Sequence, residues 1–286
     1  KPVRIIVPLV PGGSTNNIAR TLSEKLRDAL GQPLIVENKP GADSMTGTEY
    51  VARATPDGYT LLVQSGTHVI LPFVEPKLPY DPLRDFAPVG TLAAQPGALA
   101  IHPSLPARSV KEFIALAKAR PRQINYSSSG NGSAPHLSMA LLVSMTGIEL
   151  VHVPYKGGAM QVTALVGGES QASLATVSTV IAHLKSGRLR ALGVSSARRS
   201  AILPDVPTIA EAGVPGYEMS PWIGVYAPAN TPRPIIEKLN AAMVKVLRTE
   251  EVRKFMVGDG AEPAPGTPEQ FAAFLRADHA KWARVI

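Results

Sequence analysis

Two stretches of this chain combine the residue types that hold a small anion without using a formal cation. Pro8-Leu9-Val10-Pro11-Gly12-Gly13-Ser14-Thr15-Asn16-Asn17 follows a short β-branched run, and Ser127-Ser128-Ser129-Gly130-Asn131-Gly132-Ser133-Ala134-Pro135-His136 follows another. Glycine lets a ligand approach the backbone, and the free N–H groups of a helix start point outward. Each such end carries about half a positive charge and favours anions. Neither stretch contains lysine or arginine. A carboxylate, with one negative charge, can be held by N–H and hydroxyl donors alone, each bond contributing about 1.5–3 kcal/mol.

Other chemistries fit less well. No G-x-x-x-x-G-K-[ST] is present for a triphosphate, and Gly130-Asn131-Gly132 lacks the third glycine of a dinucleotide fingerprint. There is no G-x-S-x-G elbow, and a nucleophilic Ser14 or Ser129 would need a positioned base. Of the six histidines, His136 and His68 are placed nearest loop mouths, as ligand-contacting or structural residues. His102, His152, His183 and His279 read as structural. No H-E-x-x-H or acidic cluster suggests a metal, and no cofactor is called for. The basic clusters Arg188-Leu189-Arg190 and Arg198-Arg199 lack interleaved aromatics, so they read as solvated faces, with no nucleic-acid partner.

The elements that must carry these loops alternate. Val3–Val7 reads as a buried strand, and Ser14 and Thr15 can cap a helix with Ile18, Leu22 and Leu26 on one face, stopped by Gly31. Pro33–Glu37 is a second strand, 44–54 a helix and Tyr59–Val63 a third strand. The rhythm restarts with a helix capped by Ser109, a strand at Gln123–Tyr126, and a helix from Leu137 to Gly147. Strands follow at Leu150–Val153, Gln171–Leu174 and Arg190–Val194, and helices close the chain at Pro232–Leu247 and 268–283. Such alternation implies an α/β fold with mostly parallel sheets. Proline-rich junctions at 102–106 and 227–232 divide it into two lobes joined by two crossings. Lobe 1 is 1–102 plus 226–286, lobe 2 is 103–225, and Trp222 falls near the second crossing.

The 286 residues suffice for two domains and a sizeable core. The absence of cysteine removes thiolate metal sites, iron–sulfur clusters, cysteine nucleophiles and disulfides together. Charge arithmetic gives 29 − 22 = +7, which attracts anions. No apolar run approaches the roughly 18 residues of a membrane span. The chain enters a strand directly after Lys1-Pro2, which suits a cytosolic protein or a mature exported one.

An ordered set of short motifs resembles the Bug family of solute-binding proteins, receptors of tripartite tricarboxylate transporters. The set runs through Ile6-Val7-Pro8 with Pro11-Gly12-Gly13, Val36-Glu37-Asn38-Lys39-Pro40-Gly41-Ala42, and Pro56-Asp57-Gly58-Tyr59-Thr60-Leu61-Leu62. It continues with Leu78-Pro79-Tyr80-Asp81-Pro82, Tyr126-Ser127-Ser128-Ser129-Gly130, His152-Val153-Pro154-Tyr155-Lys156-Gly157 and Pro204-Asp205-Val206-Pro207-Thr208. The resemblance implies a periplasmic, two-lobed α/β protein that closes on a small mono- or dicarboxylate and delivers it to membrane permease subunits. It implies a monomer and no enzymatic activity. The family's carboxylate contacts, carried over, fall on Gly13, Ser14 and Thr15 of the first loop, with Asn17 beside them, and on Ser129, Gly130, Asn131 and Ser133 of the second. Ser65-Gly66-Thr67-His68 resembles a further family loop, adding Ser65, Thr67 and His68, and His136, Gly157 and Thr176 complete the candidate set. Two departures stand out: Asn16 replaces the family's usual aspartate, and Asp43-Ser44 replaces a frequent glycine pair. The rival reading is an α/β enzyme acting on a small anion, with His136 or His68 as base.

Overall fold

The computed structural model describes every residue except Val10, Gly12, Gly13, Pro76, Asp259 and Ile286, and leaves out the side chains of Ser14, Asp43 and Val285. The chain begins with β1 (Val3–Val7), α1 (Ser14–Leu30), β2 (Leu34–Asn38), α2 (Met45–Ala52), β3 (Thr60–Ser65), α3 (Thr67–Val74) and β4 (Phe86–Ala94). It continues with β5 (Gly97–Ile101), α4 (Val110–Ala119), β6 (Asn125–Ser128), α5 (Ala134–Thr146), β7 (Val151–Pro154), α6 (Gly158–Val166), β8 (Ala172–Thr176), α7 (Val177–Lys185) and β9 (Arg190–Val194). It closes with β10 (Trp222–Pro228), α8 (Arg233–Leu247), α9 (Glu250–Gly258), β11 (Glu262–Pro263) and α10 (Pro268–Val285).

These elements form two compact units. Unit 1 comprises Lys1–Ala94, Trp222–Asp259 and Pro263–Ile286, and unit 2 comprises Gln95–Pro221 with Gly260–Glu262. The proline junctions predict crossings near 102 and 226, whereas β5 belongs to unit 2, which begins at Gln95. The chain also returns to unit 2 a second time, at Gly260–Glu262. There the carboxylate of Glu262 accepts from Ser200 Oγ (2.7 Å) and the Ala201 N–H (2.9 Å). Gly260 packs so closely on Ser178 that a Cβ would lie 1.9 Å from the serine Cβ, and its φ is +71°. Only glycine fits there.

Among the described residues, the sheet of unit 1 has the order β11-β4-β10-β3-β1-β2 and that of unit 2 the order β7-β6-β8-β5-β9. Parallel pairing holds for β1 with β2 and β3, and for β6 with β7 and β8. The sheets are mostly parallel as expected, each with one reversed strand next to a junction. β10 runs antiparallel to β3 and β4, and β5 antiparallel to β8 and β9. Both strands enter their sheets without a helical crossover, so nothing constrains them to the parallel direction.

Local chemistry explains the helices that carry the second loop. The Ser109 hydroxyl accepts from the Glu112 N–H (3.1 Å) while Glu112 Oε2 accepts from the Arg108 N–H (2.7 Å), a reciprocal cap that starts α4. α5 buries Leu137, Met139, Leu141 and Leu142 and stops at Gly147, whose φ of 67° suits a left-handed C-terminus. Unit 1 is centred on Ile6, Leu62, Phe86, Trp222, Tyr226 and Phe271, and unit 2 on Ala98, Ala100, Leu165, Val177 and Val180.

Candidate functional site

In unit 2 the parallel strands β6, β7 and β8 end at one sheet edge, and α5, α6 and α7 start there. The N-cap positions are Ser133, Gly157 and Thr176, and none supplies a side-chain cap to its own helix. The Val177 N–H of α7 donates to the Pro96 carbonyl (3.0 Å), and the three helix dipoles add a positive edge beside a Ser127–Ser133 loop that has no cationic side chain.

The Ser127–Ser133 loop is held from within. Ser127 and Ser128 are fully buried. The Gly130 carbonyl accepts from Ser133 Oγ (2.7 Å) and the Ser133 N–H (3.3 Å). Gly130 and Gly132 have φ of 131° and 71°, so the turn needs glycine at both. The Gly157 N–H donates to the Ser129 carbonyl (3.3 Å), tying the start of α6 to this loop. The half-buried Ser129 and the exposed Asn131 have no side-chain partner among the described residues. Ser133, expected as a ligand donor, instead spends its hydroxyl proton on the Gly130 carbonyl.

Two imidazoles lie against this loop. His136 Nδ1 accepts from the Gly132 N–H (3.1 Å), and Ser128 Oγ lies 2.7 Å from His152 Nε2. The rings of His136 and His152 stack with centroids 4.1 Å apart and planes within 7°, and Tyr126 covers the other face of His152 at 4.8 Å. Burial pushes both histidines below the usual imidazole range, and the neighbouring His136 lowers His152 further. The sequence reading missed His152, since its partner Ser128 is 24 residues away.

In unit 1 the parallel strands β1, β2 and β3 likewise end at one edge. Gly13 lies outside the described residues and so does the side chain of Ser14. Beyond them, Thr15 and Asn16 are buried in the first turn of α1, and Asn17 is half-buried. Asn16 is 3% exposed and its Oδ1 has no hydrogen-bond partner. An unpaired carboxylate at that depth would carry a heavy desolvation cost, which the amide avoids. Asn38 Nδ2 donates to the Leu9 carbonyl (2.9 Å) and steadies the segment after β1. Ser65 Oγ and Thr67 Oγ1 are 3.1 Å apart at the start of α3, where Gly66 provides no side-chain cap.

His68 does not belong to that loop mouth. Its side chain is fully buried, with Nε2–H donating to the Pro82 carbonyl (3.0 Å) and the ring packed on Tyr226 (4.4 Å), Phe86 (4.8 Å) and Tyr80 (6.2 Å). Burial lowers its pKa to about 4. It is a neutral core residue, neither a ligand contact nor a base. The apolar period of α3 turns it inward, which a loop reading of 65–68 could not reveal. Trp222 packs in the same unit, its Nε1–H donating to the buried Asp278 (3.0 Å). Among the described residues no group of three His, Cys, Asp or Glu could hold a metal ion, and no helix is long and apolar enough to cross a membrane.

Two α/β units whose parallel strand ends present neutral donors define the class: a solute-binding receptor. A model of the tripartite tricarboxylate transporter family receptors matches residues 18–286, and the chain belongs to that family. It is 38% identical to protein BugT of Bordetella pertussis over all of this chain and 88% of that one. A Rhodopseudomonas palustris protein solved with adipate is 36% identical, with a TM-score of 0.82 over 99% of this chain and 95% of that one. MatC from the same species, solved with bound malate, is 32% identical, with a TM-score of 0.79 over 99% and 98%. The family and the fold are those of solute-binding receptors.

Proposed function

We propose that this protein works outside the cytoplasm as the monomeric receptor of a tripartite tricarboxylate-type transporter, binding a small dicarboxylate and passing it to the membrane permease subunits. One observation carries the reading: three helix starts without side-chain caps meet at one edge of unit 2, beside a glycine–serine loop that contains no cation. Such an edge suits a carboxylate, whose single charge is satisfied by N–H and hydroxyl donors. Adipate and malate in related structures are both dicarboxylates, which supports that ligand class. Ser129, Asn131 and the backbone of Gly130, Gly157 and Thr176 are the proposed contacts in unit 2, with His136 Nε2–H as a neutral donor. Gly13, Ser14, Thr15 and Asn17, with Ser65 and Thr67, are those proposed in unit 1. Lys156, exposed beside Gly157, is the cation nearest these positions in the chain.

A thermal-shift screen of dicarboxylates against their diamides tests this reading. At about one hundred times Kd a ligand adds roughly 2.7 kcal/mol. For a protein of this size that raises Tm by about 5–10 °C. Stabilisation by an acid and not by its amide is the expected result, and mass analysis after long incubation should return the acid unchanged. No shift above about 2 °C for any acid would remove the proposal.

A further inference from the structure

The two imidazoles behind the second loop are placed to control its shape. His136 Nδ1 accepts the Gly132 N–H, which requires a lone pair on that nitrogen, so the ring is the uncharged Nε2–H form. The Ser128 hydroxyl has three polar neighbours: the Gly130 N–H (3.2 Å), the Gly130 carbonyl (3.0 Å) and His152 Nε2 (2.7 Å). The Gly130 carbonyl also receives Ser133 Oγ–H and the Ser133 N–H. The Ser128 hydroxyl donates its one proton to that carbonyl, so His152 Nε2–H donates to Ser128 Oγ. Stacking brings the two rings to 4.1 Å, where two positive charges would repel.

We propose that His136, stacked on His152, is a positioning residue for the carboxylate loop, and that it sets Gly132 correctly only while its ring is uncharged. The inference rests on the carboxylate reading above and deepens it. His136 comes from α5, His152 from β7, and Tyr126 of β6 closes the stack. Among the described residues no carboxylate or ammonium group shifts either ring: burial shifts His136, and burial with the neighbouring His136 shifts His152. Protonating His136 replaces an acceptor by a donor facing the Gly132 N–H. A charge on His152, whose ring lies 4.1 Å away, would oppose that of His136. Protonation of His136 opens the loop that presents the neutral donors.

Nuclear magnetic resonance of the ligand-free protein tests this without requiring the natural ligand. At about pH 7.5 the His136 ring should carry its proton on Nε2, and lowering the pH to about 5 should move the Gly132 amide in step with that ring. His136→Gln keeps an acceptor for Gly132 and should make the Gly132 amide insensitive to pH. His152→Phe keeps the stack but removes the donor to Ser128 Oγ, and should shift the Ser128 and Gly130 amides. Adipate affinity, measured in parallel, should weaken about tenfold more on acidification in the wild type than in His136→Gln, where the ligand titrates identically. A Gly132 amide that ignores the His136 titration, or a proton on His136 Nδ1 at the higher pH, would overturn the proposal. So would affinity that rises on acidification only in the wild type, since a cation would then be gripping the ligand. Coupled titration in a protein that no acid of the dicarboxylate screen stabilises would uphold the loop device and reject the carboxylate reading.

Discussion

Unit 1 and unit 2 each place histidine near a strand-to-helix junction, and they use it in opposite ways. His68 of unit 1 is 0% exposed, sealed among Tyr80, Phe86 and Tyr226, and its one hydrogen bond runs to a loop carbonyl. His136 and His152 of unit 2 are half-buried and bonded to the backbone and side chain of the ligand loop. All three are held neutral by burial. The contrast teaches that a neutral imidazole can serve either packing or loop geometry, and that what its nitrogens touch decides which.

Removing the sealed ring should have the largest effect. His68→Ala leaves an aromatic-sized cavity and an unpaired Pro82 carbonyl, and should cost about 3–5 kcal/mol in urea unfolding. His152→Ala, at a half-buried stack, should cost under about 1.5 kcal/mol while weakening ligand binding. Equal losses of stability would erase the distinction between the units.

Acid should sharpen the contrast. The folded pKa of His68, about 4, lies below its unfolded value of 6.5. The unfolded chain therefore takes up the proton first, and the contribution of this residue is complete above pH 6.5 and lost as pH falls toward 4. At 1.36 kcal/mol per unit the loss is about 3 kcal/mol over that window. Urea midpoints measured between those limits should fall in the wild type and fall less in His68→Phe. Parallel curves for the two proteins would show that the titrating group lies elsewhere.

Within unit 2, Ser129→Ala removes a free hydroxyl donor and should weaken carboxylate affinity by about 1.5–3 kcal/mol in calorimetry. Ser133→Ala should weaken it too, through the Gly130 carbonyl it releases, and unlike Ser129→Ala it should alter the Gly130 amide resonance. Both variants should unfold within about 1 kcal/mol of the wild type, being half-buried loop positions. If neither loses affinity, the anion is held by another part of the molecule.

Salt should produce the smallest change. The +7 charge speeds capture of an anion and is screened beyond about 8 Å at physiological ionic strength, whereas fixed N–H donors are screened little. Stopped-flow data should show association slowing with salt at a nearly constant dissociation rate. Dissociation that climbs with salt, and stops climbing in Lys156→Met, would mean that Lys156 grips the ligand.

The sequence by itself determined the local elements and the chemistry of the loops. Val3–Val7 reads as a strand because a short β-branched run is bounded by proline and glycine, and β1 has those bounds. Ser109 with Glu112 announces the start of α4, and Gly147 the end of α5, because caps are written in adjacent residues. The absence of lysine and arginine from both loops, and hence the choice of a carboxylate over a phosphate, needs no coordinates. What depends on pairing between distant residues was decided only by tertiary structure. The antiparallel entry of β5 and β10, the inward turn of His68 and the Ser128–His152 contact across 24 residues have no local signature. The register that sets Tyr126 opposite His152 places that ring behind the loop. Period and capping are short-range properties of a chain, whereas the neighbours of a buried imidazole are chosen by how whole strands and helices pack.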